Sequence, residues 1–414
     1  MKTKSQTQGY HFIDFDDALK RIEELFEPLE VTQIPLEESL GMVLAEDVIC
    51  HEGHPPFDRS AMDGFAVRAS DVKEPGTKLK LTTTLKAGDS DKVKIEQGTC
   101  MAVMTGAPIP QGADSVIIQE DTEEKEGEII FKKPAKKGAN IRFAGEDIKA
   151  GEIACKQGTL LTPSVIGTCA LTGKITVKVF RKPSVSIAIT GDEIVESGVK
   201  EVPYGFIRNS NGPLLVALLR EIGITPKYLG IIPDDPEKIE SAFEEGLSCD
   251  LMLITGGVSA GKFDYVPEVM EKMGLEYVWK KIKIKPGKPI TFASGKNGKK
   301  GRVFGLPGNP VSAFTSFHLF VKPAIRKMAG WKNFWREFEG KLAKSIPCDP
   351  ERITITPCRC SMRDGIFELE PVKFNGSADI KGVSAGDCLA ILPIKDGEIK
   401  KGEFVRFVPV ERFD

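Results

Sequence analysis

The sequence predicts a mixed, multi-domain protein built around a doubly wound α/β sheet and flanked by β-rich segments. Three observations predict it. First, three apolar runs each end in a glycine turn: SVSIAITGDEIV (184–195), DLMLITGGVSAG (250–261) and RVFGLPGNPVSA (302–313). Runs of this length, stopped so abruptly, suit central strands of a parallel sheet. Second, helical stretches such as Gly212–Ile222 and Pro236–Gly246 lie between them. That alternation gives a sheet whose ligands bind at the carboxyl ends of its strands, so the three glycine loops are expected to face one crevice. Third, on both sides of this region the texture changes to short, alternating, β-branched runs closed by Gly or Pro.

Taken in order, the chain opens with Phe15, Ala18, Leu19, Ile22 and Leu25 at helical spacing, and Asp14 with Asp17 stands where a helix cap belongs. Val31–Cys50 reads as a strand, a short helix and another strand. His54–Val67, HPPFDRSAMDGFAV, crowds Asp58, Arg59, Ser60, Asp63 and Gly64 into a stiff loop: either a solvated connector or a placed catalytic segment. From Lys78 to Gly145 the runs LKLTTTL, TCMAVM, SVIIQED and EIIFKK describe a small β-rich domain. It carries the proline-stiffened loop TGAPIPQGADSVIIQED (105–121), which reads equally as a hairpin connection. The acidic stretch at 120–128 reads as a solvated turn. GTLLTPSVIGTCALTG (158–173) predicts a helix beginning at Thr162-Pro163, folding back on residues 12–50. After Trp335, the runs RITITPCRC, IFELEPV, CLAILPI and EFVRFVPV predict a separate β-barrel-like domain, with Cys358 and Cys360 on alternate residues of one strand. The expected domains are 10–54 with 146–181 (mixed α/β), 55–145 (β-rich), 182–331 (α/β) and 336–414 (β-barrel-like).

Bulk composition sets limits. At 414 residues, two to four domains are expected at about 150 residues each. A net charge of -2 gives no reason to expect nucleic acid as a partner. The start, MKTKSQTQGYHF, has no apolar core after its lysines, and the apolar runs fall short of the roughly 20 residues of a membrane span. A cytoplasmic protein is therefore expected. Nine cysteines without CxxC spacing argue against a disulfide framework or zinc site. Four histidines without HxxxH make a histidine metal site an unfavoured reading.

The chemistry-bearing residues are acids in or beside turns (Asp63, Glu193, Asp234, Asp264) and the lysine run KKIKIKPGKP at 280–289. Gly256, Gly257 and Gly261 let backbone amides approach an oxyanion. On a strand, Lys281, Lys283 and Lys285 share a face, and Pro286-Gly287 turns the chain towards Lys288. A solvated basic face is the ordinary reading of such a run. Set opposite glycine loops and acids, it describes a polyphosphate site: amides and lysines on the oxygens, carboxylates on a divalent cation. With no serine or cysteine paired to a histidine, metal-assisted cleavage or transfer at a phosphate is the better expectation.

Seven segments, PPFDRSAMDGFAV (55–67), TGAPIPQGADSVIIQED (105–121), TGDEIV (190–195), GIIPDDP (230–236), TGGVSAGKFDYV (255–266), KPGKPITFA (285–293) and GLPGNPVSAF (305–314), together closely resemble the molybdopterin molybdenumtransferase family, which includes the C-terminal catalytic domain of gephyrin. The resemblance implies a molybdopterin-binding type of α/β domain, four domains in all, and an elongated homodimer formed through the mixed domain, with the site near the subunit interface. It implies conversion of adenylylated molybdopterin and molybdate (or tungstate), with Mg²⁺, into molybdenum cofactor and AMP. The catalytic residues it implies are Asp63, Thr105, Glu193 and Asp264; of these, Asp264 and Glu193 are expected to help hold Mg²⁺. For substrate binding it implies Asp234, Lys281, Lys285 and Ser377; Ser60, as a donor to an oxyanion, and Gly256, Gly257, Ser259, Lys288, Pro307 and Asn309 are further expected at the substrate. An arginine of the C-terminal domain is also expected at the pterin, and both Arg352 and Arg359 are available. A transient contact with the pathway's adenylyltransferase is a further expectation. The rival readings are that adenylyltransferase itself, for which the α/β domain alone would serve, and a non-catalytic cofactor-binding scaffold.

Overall fold

In a computed structural model the described residues are 12–89, 92–257, 264–295 and 301–410. They divide into two compact units. One comprises the chain up to Thr32, Gly41–Val43 and everything from Phe180 onwards; the other comprises Gln33–Leu40 and Leu44–Val179.

The first unit holds the α/β sheet. Its strand order is Lys227–Ile232, Val185–Thr190, Leu251–Thr255, Arg302–Leu306, Thr291–Gly295, Leu275–Trp279. The first four run parallel, whereas Thr291–Gly295 is antiparallel to both neighbours, so the sheet is mixed at that edge. From Val185–Thr190 the chain crosses to one side, to Lys227–Ile232, and then returns to Leu251–Thr255 on the other. That reversal is the topological switch point of a doubly wound sheet. Val185–Thr190 and Leu251–Thr255 are buried at every position, as strands covered on both faces must be. The intervening helices form where expected, at Asn211–Glu221 and Pro236–Gly246. Asp235 caps the second, accepting from the N–H groups of Glu237 and Lys238, each at 3.0 Å.

The helix Phe15–Leu25 buries Phe15, Ala18 and Ile22 in the same unit, where Phe15 meets Phe320 edge to face. Asp14 occupies its N-cap position but makes no capping bond; its carboxylate pairs instead with Lys283 Nζ at 2.9 Å. Beside it, Phe26, Trp279, Phe292 and Phe304 form an aromatic core.

The C-terminal strands close on themselves. Ile353–Arg363 pairs with Ile366–Pro371, which leads through Phe338–Leu342 and Phe404–Pro409 to Cys388–Leu392, and that strand pairs back with Ile353–Arg363. The short strand Ile284–Lys285, in the lysine run, adds in parallel to Ile353-Thr354. The lysine run is therefore not one strand; Leu275–Trp279 ends before it.

In the second unit a sheet runs in the order Ser115–Ile118, Gly64–Val67, Thr99–Val103, Thr77–Leu85, Glu128–Phe131, Thr122–Lys125. Gly64 is enforced by packing: a Cβ there would collide with the carbonyl of Ile117 on the adjacent strand. Residues 120–128, expected to be a solvated turn, supply an edge strand, Thr122–Lys125, hairpinned through Glu126-Gly127. Pro163–Leu171 is a helix whose Thr162 hydroxyl accepts from Val165 N–H at 3.4 Å. Among the described residues no helix is long and apolar enough to cross a membrane.

One ion pair fixes the start of the α/β sheet. The Asp250 carboxylate accepts from Arg181 Nη1 and Nη2 at 2.6 and 2.8 Å, and from the N–H and hydroxyl of Ser184 at 2.8 and 2.7 Å. Burial pushes its pKa up, but the bonds from Arg181 and Ser184 outweigh this and hold it down at about 2. A folded-state pKa below the unfolded one contributes stability that is complete above the ordinary carboxylate range and is lost as pH falls towards 2. Asp250→Asn is therefore expected to cost on the order of 1–2 kcal/mol at pH 7, after discounting for solvent screening at Arg181, and to flatten the acid limb of stability against pH. Urea unfolding at pH 7 and pH 3 checks both; equal losses at the two pH values would contradict the ion-pair account.

Candidate functional site

Three clusters of candidate residues take shape. The first lies at the carboxyl ends of the parallel strands. Asp192 and Glu193 follow Val185–Thr190, Asp234 follows Lys227–Ile232, Gly256 and Gly257 follow Leu251–Thr255, and Asp264 precedes the helix Val266–Lys272. Gly256, at φ +85°, lies so close to the neighbouring strand that a Cβ would strike the Thr190 carbonyl and come within 2.7 Å of its Oγ1. Asp192 and Asp234 lock their loops reciprocally: Asp234 N–H donates to Asp192 Oδ1 at 3.1 Å, and Asp192 N–H to Asp234 Oδ2 at 3.4 Å. Burial raises the pKa of Asp234, and the negative charges of Asp192, Glu193 and Asp264 push it further the same way. A carboxylate surrounded by like charges in this way attracts a cation. Ser259 and Gly261 lie outside the described residues.

The second cluster is a cavity of about 420 Å³ in the same unit. Lys285 and Lys288 from the lysine run, Pro307 and Asn309 from the third glycine loop, and Arg352 and Ser377 from the C-terminal region all line it. Asn309 Nδ2 donates to Ser377 Oγ at 2.9 Å, and Val311 N–H to Ser377 O at 3.0 Å. Ile284, Pro286, Ile355 and Phe374 supply an apolar wall. A concave site with an apolar wall and a few convergent polar groups binds a flat, anionic ligand well. Arg352, not Arg359, faces this space; the Arg359 guanidinium donates to Ala385 O at 3.3 Å. Lys281 is exposed and does not line the cavity, and neither do the strand-end acids, Gly256 or Gly257. The three glycine loops therefore do not all open on this one cavity: the third borders it, the other two the acids.

The third cluster is in the other unit. Asp63 Oδ1 accepts from Thr105 N–H at 2.6 Å and from its hydroxyl at 2.8 Å, and these two bonds hold the Asp63 pKa below the ordinary carboxylate value. Two residues 42 positions apart in sequence are thus brought together. Ser60 behaves differently: it is buried, and its hydroxyl donates to Met62 O at 2.6 Å, holding the loop. Its strand pairs Ser60 with Ile141 and Arg59 with Arg142, which brings in a residue the sequence did not single out. Asp147 accepts from Arg142 Nη2 at 2.6 Å and lies 4.0 Å from His54 Nε2. Asp192, Asp349 and the cavity residues Ser312, Thr354 and Phe374 were likewise not singled out. Of the last group, Thr354 comes beside Lys285 through the pairing of Ile284–Lys285 with Ile353-Thr354.

Comparison with known proteins agrees with this architecture. The family model described as the MoeA N-terminal region (domains I and II) matches residues 13–173, a probable molybdopterin binding domain matches 186–327, and the MoeA C-terminal region (domain IV) matches 339–410. A molybdopterin molybdenumtransferase of Staphylococcus epidermidis is 33% identical over 407 residues, 96% of each chain. One of Haemophilus influenzae is 35% identical over 396 residues, 94% of this chain and 96% of that protein. The crystal structure of the molybdopterin biosynthesis moeA protein of Pyrococcus horikoshii OT3 superposes with a TM-score of 0.80 at 31% identity, over 96% of this chain and 99% of that one. With full-length relatives at this identity, and with the fold and its strand-end acids in place, the chain belongs to the molybdopterin molybdenumtransferase family.

Proposed function

We propose that this protein inserts molybdate, or tungstate, into adenylylated molybdopterin and releases AMP, with Mg²⁺ as the assisting ion. The observation that carries the reading is the cavity itself, where Lys285, Lys288 and Arg352 converge beside an apolar wall. Breaking a phosphoanhydride develops charge on phosphate oxygens, and fixed cations and amide dipoles in a partly dry site stabilise that charge. The pterin dithiolene supplies the sulfur ligands of the metal being inserted, so the protein has no need of a cysteine site there. Tetrahedral oxyanions of molybdenum and tungsten would meet the same donors.

The donor set fits a hard dication. Glu193, Asp234 and Asp264 offer only oxygen ligands, and Asp234, whose pKa is raised first by burial and then by the charges of Asp192, Glu193 and Asp264, stands where a cation would offset both. Glu193 and Asp264 would hold the ion, which when bound draws electron density from phosphate oxygens and eases departure of AMP. Among the described residues no three such side chains already form a metal-ligating group, and Mg²⁺ commonly completes its shell with water and substrate oxygens. For Asp63 we propose the orienting of the water or molybdate that displaces AMP. The two bonds from Thr105 support that role, because both fall on Oδ1 and fix the orientation of the carboxylate.

Following AMP release from adenylylated molybdopterin with each oxyanion in turn tests the reaction. Lys285→Ala is expected to raise KM about 10- to 100-fold, as loss of one charge-assisted contact does. Glu193→Gln is expected to weaken Mn²⁺ binding, read by EPR without substrate; unchanged binding would remove Glu193 from metal duty. Thr105→Val keeps the backbone donor and deletes the hydroxyl. The Asp63 pKa should then rise part of the way to its ordinary value, which a carboxyl NMR titration with selectively labelled aspartate detects. An unmoved titration would show that the hydroxyl contributes nothing.

We also propose that the working form is a homodimer. In the second unit Ile153, Leu171 and Ile175 are exposed at 41%, 45% and 83%, a supply of surface apolar groups that association would bury. Sedimentation velocity is expected to give a dimer that Ile175→Glu weakens; a native protein that sediments as a monomer would refute this.

A further inference from the structure

Behind the cavity stands a carboxylate that does not line it. Asp349 is 9% exposed, and each of its oxygens has a different task. Oδ1 accepts from the backbone N–H groups of Glu351 and Arg352 at 3.0 and 3.1 Å, fixing the turn that leads into the strand Ile353–Arg363. Oδ2 accepts from Arg352 Nη2 at 2.7 Å and faces Lys285 Nζ at 3.4 Å. The Asp349 N–H in turn donates to Thr354 Oγ1 at 3.1 Å. One oxygen atom thus gathers two cations from segments more than sixty residues apart in sequence, both of which line the cavity. Left alone, two like charges at such separation repel, and each side chain would swing into solvent. The acid does not exhaust them: a guanidinium has five N–H donors and an ammonium three, so most remain for a ligand. The bond from Arg352 is the largest cause that keeps Asp349 ionised, with its pKa lowered to about 2, so the anchor persists at any physiological pH.

We propose that Asp349 is a positioning residue that holds Lys285 and Arg352 as one paired donor for a tetrahedral oxyanion, either a phosphate group of the substrate or free molybdate. This rests on the reading that the cavity takes the anionic end of the substrate. Paired in this way, the two cations present donors from two directions to one tetrahedral group. Without the anchor the same charges remain near the cavity but do not converge.

The full-length protein with inorganic molybdate and inorganic phosphate as separate probes, followed by isothermal titration, tests the idea, with AMP release measured in parallel. Asp349→Asn keeps an oxygen for the two backbone donors and removes the charge. It is expected to weaken binding of the preferred probe about tenfold or more, and to raise KM by a similar factor while kcat changes far less. The probe that native protein binds more tightly, and that Asp349→Asn loses, identifies the oxyanion. An Asp349→Asn protein that binds like the native one, while Lys285→Ala and Arg352→Ala lose affinity, overturns the positioning role alone. If all three variants bind like the native protein, or the native protein binds neither probe, the cavity reading falls and this inference with it. Lys285→Ala, Arg352→Ala and their double variant give a test that does not depend on the Asn protein folding. Held by one anchor, the two cations should be strongly coupled, with the double variant losing about as much as the worse single one; losses that multiply would overturn the pairing.

Discussion

The close approach of two strand ends, Thr190 and Gly256, is the constraint on which the α/β unit turns. Thr190 Oγ1 donates to Thr255 O at 3.1 Å, and the next residue must lack a Cβ for the chains to lie so near. This contact falls at the switch point, where one crossover has left to one side and the next returns on the other. Strand ends held this tightly fan their following loops outwards, and Asp192, Glu193 and Gly257 leave from this crevice. Asp234 arrives from the third strand end and is tied to Asp192 by two backbone-to-carboxylate bonds. Placement of the acids is thus a consequence of sheet geometry, and the loops inherit the rigidity of buried strands beneath them.

Within the same unit, carboxylates are driven in opposite directions. Asp234 is pushed up by burial among other acids, whereas Asp349 and Asp250 are each drawn down to about 2, chiefly by hydrogen bonds from an arginine. The neighbour therefore decides the direction of the shift. Asp250 and Asp349 are already neutralised by the protein and serve as anchors. The acids around Asp234 raise its pKa by mutual repulsion, as a group that awaits a cation would. The distinction separates structural ion pairs from a candidate ligand set without appeal to position in the sequence.

Much of this was legible beforehand. The buried strands, the helix begun by Thr162-Pro163 and the closed C-terminal sheet follow from apolar periodicity and turn residues, which act over a few positions. Asp63 with Thr105 was legible only through the resemblance, since 42 residues separate them. Local geometry departed from the expectation at three places. Asp14 gave up its capping bond for Lys283, Ser60 turned its hydroxyl to Met62 O, and the acidic 120–128 stretch became an edge strand because a neighbour was there to pair with it. The cavity's arginine could not be chosen from sequence because Arg352 and Arg359 differ only in register. The pairing of Ile284–Lys285 with Ile353-Thr354 decides it, and a one-residue slip would turn different side chains inward.

That two-residue pairing also explains why acids and cations need not crowd into a single pocket. If the lysines stood among the strand-end acids, each would neutralise the other, and neither metal nor oxyanion would find an unpaired partner. Placing Lys285 on a strand that belongs to the C-terminal sheet pairs it with Asp349, at 3.4 Å, and not with the carboxylates that follow the α/β strands. A polyphosphate-bearing substrate long enough to reach both places would meet cations at one end and a metal-bearing acid group at the other. On the proposed reading the substrate, and not an ion pair between these two groups of side chains, joins the acids to the cations, and Lys285 and Arg352 meet it already oriented by Asp349.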